Sequence, residues 1–326
     1  MQGMDREIAA NYGLEVKNIV PYKDTYMVQT DKGRKILKKM VFSPERILFI
    51  HGAKEHLANK GFTNIDRYMA TLKGGPCFLF DNASYVLYDL LEGRECNFDN
   101  DMEVRKAAVL LASMHSASRG YKPPEGSKIQ DELGMLPGYF SKRLEDIKKL
   151  RKIAKKGKSR FDHLFLENTD YFIGLGEQAA SELEKSNYMN LINKARAEGV
   201  FCHHDFTHHN IVCSEDVFSI INFDYCCFEL KIYDLANLIR RKMRKCSWGM
   251  DKAVLIIDGY NSVEQLSRDE IAVMKLILQF PQKFWRVVNR YYNSRRSWSE
   301  RSFVMKLQEV LDEVDGHRKF IESYNF

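Results

Sequence analysis

Residues 202–212 read Cys202-His203-His204-Asp205-Phe206-Thr207-His208-His209-Asn210-Ile211-Val212. An Asp followed five residues later by an Asn, on a loop opening into a hairpin, suits phosphoryl transfer. The Asp205 carboxylate can accept the proton of an attacking hydroxyl, and the Asn210 amide oxygen is a hard ligand for Mg²⁺. Downstream, Ser214-Glu215-Asp216 reads as the hairpin turn and Phe218–Phe223 as the returning strand. Asn222-Phe223-Asp224 stands at its far end, where an acidic residue normally holds the metal against nucleotide phosphates. Tyr233-Asp234-Leu235-Ala236 follows.

On either side of this island the texture is simpler. The first 90 residues read as strands around one helix. Val16–Tyr22 and Thr25–Thr30 form a hairpin across Lys23-Asp24, and a strand follows through Arg34–Met40. Ser43-Pro44-Glu45 starts a helix that continues through Ile47, Ile50 and Leu57 and stops at Gly61. Cys77–Phe80 and Tyr85–Leu91 form a second hairpin across Asp81-Asn82. After Glu92-Gly93, helical spacing dominates: Asp101–Ser118, Tyr139–Ala154, Thr169–Lys185, Tyr188–Ala197 and then Leu235 to Ser323.

Composition removes several classes. The longest strictly apolar runs are about five residues, as in Ala253 to Ile257, against roughly 18–20 for a membrane span. The sequence near Met1 lacks the apolar stretch of a secretory signal. Seven cysteines without a repeated CxxC signal neither a disulfide framework nor a zinc ribbon, and a reducing compartment is expected. Net charge is 50 − 44 = +6, yet Lys142 to Arg160 alone carries ten Lys/Arg against Glu145 and Asp146, a local +8. The basicity therefore belongs to one segment, read as the wet face of an amphipathic helix or a polyanion contact. It lacks interleaved aromatics, so no nucleic-acid partner is expected. Arg240, Arg241, Lys242, Arg244 and Lys245 read as cations covering a helix C-terminus. Adjacent histidine pairs (203, 204 and 208, 209) do not match a tetrahedral zinc spacing. Cys226-Cys227 reads as two buried small residues, and Phe284, Trp285, Tyr291 and Tyr292 as core or cleft wall.

Taken together, "GRKILKK", "YVLYDLLEGRE", "LLASMH", "HHDFTHHNIV", "IINFD" and "YDLANLIRR" resemble the protein-kinase-like fold of the aminoglycoside phosphotransferase and choline kinase relatives, and within it the spore-coat CotS-type proteins. The resemblance spans nearly the whole chain. It implies an α+β, bilobal protein-kinase-like fold: a small β-rich N-lobe with one main helix (1–90) and a large mainly helical C-lobe (91–326) with a basic insertion (139–160) and a catalytic-type loop (203–224). By the same resemblance Asp205 is the catalytic base, Asn210 a metal ligand, and His203 packs the loop. Lys38 contacts the α/β-phosphates, the Asp89 carbonyl and Leu91 N–H meet adenine, and Asp234 supports the catalytic loop.

Three features depart from that pattern. Asn222 stands where active relatives carry the Mg²⁺-ligating Asp, and a neutral amide is a far poorer ligand. Asp224 is expected on the same face of the strand but roughly 6–7 Å further along. The helix position expected to give Lys38 a glutamate falls near Ile50 or His51, and the hairpin Pro21–Thr25 has no glycine. The resemblance thus implies a spore-coat protein with a partly eroded catalytic apparatus and a structural or nucleotide-binding role. It would pass from the mother-cell cytoplasm to the coat, with other coat proteins as partners. The alternative is an active phosphotransferase using ATP and Mg²⁺ on a small-molecule hydroxyl, with Asn210, Asn222 and Asp224 around the metal.

Overall fold

Strand-forming residues dominate the sequence up to residue 90, and there the chain builds an antiparallel sheet. A computed structural model describes residues 3–244, 246–294 and 299–326, so Lys245 lies outside the described residues. Contacts divide the chain into two units, Met1–Asp131 with Glu198–Phe228, and Glu132–Ala197 with Glu229–Phe326. This is a partition by packing, separate from the expected lobe boundary near residue 90.

The first unit opens with helix α1 (Met4–Tyr12), which the sequence reading did not anticipate. Strands β1 (Val16–Tyr22), β2 (Thr25–Thr30) and β3 (Gly33–Met40) follow, then α2 (Pro44–Asn59), β4 (Phe78–Phe80) and β5 (Ala83–Asp89). The sheet order is β1-β2-β3-β5-β4, antiparallel at every step. Asp81 and Asn82 both take positive φ, 47° and 58°, the conformation a tight hairpin between β4 and β5 requires. Strand alternation then sorts the side chains. Leu37, Tyr85 and Leu87 face one way, where Met4, Ile8, Tyr12 and Leu14 close a core over them. Ile36, Lys38 and Tyr88 face the other way.

The remaining elements of this unit are β6 (Arg94–Glu95), α3 (Asp101–Ser118), β7 (Phe201–Cys202), β8 (Ile211–Ser214), β9 (Val217–Ile220) and β10 (Cys227–Phe228), with three further helices between α3 and β7 in sequence. Asn100 caps α3 by accepting the Met102 and Glu103 N–H groups. Strands β6, β8 and β9 form a small sheet, and β7 pairs with β10. Phe49 of α2, Tyr121, Phe201 and Phe228 pack edge-to-face in one aromatic cluster, so α2 is fixed against the strands that flank the catalytic-type loop. The returning strand stops at Ile220, short of the expected Phe223, because Asn222 turns into the left-handed region (φ 66°, ψ 59°) and residues 223–225 form a 3₁₀ turn.

The second unit is helical: α4 (Leu136–Ala154), α5 (Arg160–Lys185), α6 (Tyr188–Glu198), α7 (Lys231–Met243), α8 (Met250–Asn261), α9 (Arg268–Gln279), α10 (Gln282–Asn293), α11 (Glu300–Leu311) and α12 (Val314–Ser323). Its core joins Ile147 and Leu150 of α4, Phe161, Phe165 and Phe172 of α5, Phe284 and Val288 of α10, and Phe303 and Leu307 of α11. Phe172 stacks on Phe284 at 3.9 Å and Phe161 on Tyr291 at 3.8 Å, which makes the α10 aromatics core residues. A Ser159–Asp162 capping box starts α5 nine residues before the expected Thr169. The basic run thus spans α4, a turn and the α5 cap, with most of its lysines exposed and Arg143 half-buried. Among the described residues no helix is long and apolar enough to cross a membrane.

Candidate functional site

The sheet face carrying Ile36, Lys38 and Tyr88 looks onto a cavity of about 380 Å³ that lies wholly within the first unit. Asp89 and Leu91 line it where β5 ends, and Asn210 and Asn222 line it from the loop. Asp89 is ion-paired to Lys35, its cross-strand partner. The Leu90 N–H donates to the Arg34 carbonyl at 3.1 Å, which holds the chain as it leaves the sheet.

Lys38 is the centre of the polar wall. Its ammonium donates to the Asn222 amide oxygen at 2.6 Å and to Asp224 Oδ2 at 2.7 Å, with both charged side chains about one-seventh exposed. The 3₁₀ turn folds Asp224 back, so the two oxygens share one donor and do not stand 6–7 Å apart along a strand. That corrects the strand-based expectation. Its cause is the left-handed backbone at Asn222, a residue type that tolerates it.

From Asn222 the network runs inward. The Asn222 amide N–H₂ donates to Asn210 Oδ1 at 3.3 Å, and Asn210 donates to the Asp205 carboxylate and carbonyl, both at 2.9 Å. The Asp205 N–H donates to His203 Nδ1 at 3.3 Å, which leaves the proton on Nε2 to reach the Ile221 carbonyl at 3.0 Å. His203 is fully buried, edge-on to Phe223 at 4.8 Å. Asp205, Asn210, Asn222, Lys38 and Asp224 therefore form one connected chain, with His203 behind it. Asp234 lies in the second unit, buried in the first turn of α7.

Helix α2 approaches this wall with cations. Glu55 makes a bidentate pair with Arg67 (3.0 and 2.6 Å), and Lys38 takes its carboxylate from Asp224. Arg46 donates to the carbonyls of Asp224 (2.9 Å) and Cys226 (2.6 Å), pinning the 3₁₀ turn. Lys54 is wholly buried, 2.8 Å from Asp66 Oδ1 and 3.8 Å above the Tyr68 ring. Burial pushes its pKa down and Asp66 opposes the shift. Asp66 Oδ2 then accepts the Asn222 N–H at 2.9 Å, so this ion pair fixes the backbone of the residue that departs from the pattern. Arg46, Lys54 and Asp66 escaped sequence reading because they carry no motif spacing; the one clue was two cations at buried positions of a helix.

At the rim, Lys23 from the β1–β2 turn donates to Glu95 at 2.7 Å, and Glu95 Oε2 lies 2.5 Å from His209 Nδ1. Lys23 first and His209 second pull the Glu95 carboxyl down to about 2. The glycine-free hairpin is thus tied across the cavity mouth by side chains.

A divalent cation fits this wall poorly. The donors are one carboxylate and two amides, and Lys38 already occupies the two facing oxygens. Of the two Asp224 carboxylate oxygens, Oδ1 is buried without a hydrogen-bond partner among the described residues. One free anionic oxygen opposite an ammonium offers little to a hard, strongly hydrated ion.

A family model described as "Spore coat putative kinase YutH" matches residues 5–324. Spore coat protein S of Bacillus subtilis is 28% identical over 299 residues, covering 91% of this chain and 85% of that protein. The endospore coat-associated protein YutH of the same organism is 22% identical over 323 residues, covering 97% and 91%. The crystal structure of an aminoglycoside phosphotransferase from Alicyclobacillus acidocaldarius superposes with a TM-score of 0.86 at 20% identity, covering 98% of this chain and 94% of that one. The fold is the protein-kinase-like α+β fold expected from the sequence.

Proposed function

Because the chain belongs to the spore coat putative kinase family, we propose that it is a spore-coat component that keeps a nucleotide-type pocket with a partly eroded catalytic apparatus. One observation carries this reading: the Lys38 ammonium is satisfied by Asn222 and Asp224. A lysine that should meet phosphate is held by the residues that should meet metal. Charge balances without an added ion, Lys38 against Asp224 and Lys54 against Asp66. On this reading the protein passes from the mother-cell cytoplasm to the coat, where other coat proteins are its partners.

The test is thermal stability with ATP or ADP, each with and without Mg²⁺, in wild type and Asn222→Asp. A ligand that binds only the native state adds RT ln(1 + [L]/Kd), about 2.7 kcal/mol at ~100-fold saturation. The proposal expects a weak, Mg²⁺-independent shift in wild type and a Mg²⁺-dependent one in the variant. A strong Mg²⁺-dependent shift in wild type would overturn it.

A second reading rests on the Asp205–Asn210 pair beside an intact cavity. It is an active phosphotransferase in which Asp205 accepts the proton of an acceptor hydroxyl and Lys38 holds phosphate, with ATP and Mg²⁺ as co-reactants. Asp205→Ala would then abolish Mg·ATP-dependent turnover while nucleotide affinity stays nearly unchanged; turnover surviving in that variant removes Asp205 as base.

A further inference from the structure

The seven cysteines carry no spacing signature, yet the fold brings two of them to one carboxylate. Cys96 directly follows β6, and Cys213 lies on β8. Register sets Cys213 opposite Arg94, and the Cys96 N–H extends the ladder by donating to the Ile211 carbonyl at 3.0 Å. Residues two apart on a strand share a face, so Cys96 and Cys213 are diagonal neighbours on one side of this small sheet. Glu103, in the first turn of α3, closes the group: the two sulfurs and a Glu103 carboxylate oxygen all lie within 4.8 Å of one another. Both thiols are free and buried, 2% and 4% exposed, and the Glu103 side chain is 12% exposed.

The carboxylate is held from behind. Arg94 donates to both Glu103 oxygens, at 2.8 and 2.9 Å, and the Asn97 N–H donates to Oε2 at 2.9 Å. These donors fill three of the roughly four lone-pair positions of a carboxylate, and the Cys96 thiol faces the same group. An outer shell of hydrogen bonds is how metal sites orient a ligating carboxylate. Two thiolates with one carboxylate suit a borderline-soft divalent ion such as Zn²⁺, and offer a hard ion such as Mg²⁺ little. Charge also closes. A divalent cation, two thiolates, Glu103 and Arg94 sum to zero, and the neighbouring Lys106 is already paired with Asp216 at 2.8 Å. We propose that Cys96, Cys213 and Glu103 form a Zn²⁺ site whose fourth position is filled by water. Binding replaces two S–H bonds by two S–Zn bonds and sends both protons to solvent. Because β6 has only two residues, the ion staples a weak strand to β8. It thereby fixes Gly93, Arg94, Glu95 and Val212, which line the nucleotide-type cavity. The site shares no ligand with the Lys38 wall and stands whether or not that pocket takes nucleotide.

The test is Co²⁺, a spectroscopic substitute for Zn²⁺, titrated into the full chain after reduction with a phosphine and removal of metals by a chelator. One equivalent should raise a thiolate-to-cobalt charge-transfer band in the near ultraviolet, and Zn²⁺ should bleach it. Zn²⁺ should also raise Tm, because it binds the folded chain. Cys96→Ser and Cys213→Ser should each lose the band and the Zn²⁺ shift. Glu103→Gln should keep the thiolate band with affinity lowered at least about ten-fold. Cys77→Ser, Cys246→Ser and His209→Ala lie outside the group and should leave the band in place. Cys96→Ala replaces the serine variant if that one folds poorly, and the metal-free unfolding midpoint of each variant is measured alongside. No charge-transfer band in the wild type, a band that survives in both cysteine variants, or one lost in Cys77→Ser or Cys246→Ser would overturn the proposal.

Discussion

The Lys54 ammonium and the Asp66 carboxylate meet at 2.8 Å with almost no solvent, and the far oxygen of Asp66 holds the Asn222 N–H. A buried ion pair is not strongly stabilising in itself, but removing one member strands the other charge. Lys54→Met should therefore cost about 3–5 kcal/mol in urea unfolding. Lys54→Met with Asp66→Asn should recover most of that loss. A single variant within about 0.5 kcal/mol of wild type would mean that the pair is not desolvated as described.

Glu95 gives a prediction with a defined pH window. Its carboxyl lies at about 2 in the folded chain against an ordinary 4.5, mainly through Lys23. A depressed carboxylate stabilises the fold above its unfolded pKa and loses that contribution as pH falls through the folded value. The wild type should thus exceed Glu95→Gln in stability at pH 6, and the gap should close between about pH 4.5 and 2. Glu95 is partly exposed, so solvent screening keeps the gap under about 1 kcal/mol. Denaturant midpoints of both proteins across that range check it; a pH-independent gap would exclude the charge pair as its source.

Which parts were legible in the sequence follows from what local chemistry encodes. The β1–β2 boundaries and α2 were readable because alternation, turn pairs and a Ser-Pro-Glu start are local signals. Helix α1 was missed: Met4, Ile8 and Tyr12 are its only buried contacts, and charged residues between them hide the spacing. Lys38, Asn210 and Asn222, singled out through the resemblance, line one cavity. Their partners were not legible, because Lys54 and Asp66 meet across a fold, and Asn222's left-handed turn ends a strand that apolar alternation would have continued. Arg240, Arg241 and Lys242 do stand in the last turn of α7, as their position after Asp234 suggested. The Arg240 bond to the Ile277 carbonyl was not readable, because it joins two helices far apart in sequence.

Gly93 sits at φ 151° between β5 and β6, where an added Cβ would lie 2.5 Å from the Cys213 carbonyl oxygen. The obstacle is backbone of the small β6–β8 sheet, so it cannot swing aside as a side chain would. Gly93→Ala should destabilise by about 1–3 kcal/mol from the backbone conformation alone, with the clash added. Gly33→Ala, at φ 90° with open space around it, isolates the first of these costs. Equal losses in the two variants would remove the close approach as a cause.

Lys38→Met separates the two things the lysine does at the cavity wall. Its ammonium neutralises Asp224, and nothing else described donates to either carboxylate oxygen of that residue. Without it, a nearly buried carboxylate has two unfilled oxygens beside the Asn222 amide oxygen, which now also lacks its donor. The variant should lose about 1–3 kcal/mol in the presence of a chelator. Those three oxygens are also what a hard cation seeks, so Mg²⁺ should restore part of the loss and shift wild type little. The measurement is urea unfolding of both proteins with and without millimolar Mg²⁺. If Mg²⁺ stabilises wild type as much as the variant, Lys38 is not occupying the metal's place. If it stabilises neither, the wall lacks the donors for a cation even when the ammonium is gone, and Asn222 is the residue that removed them.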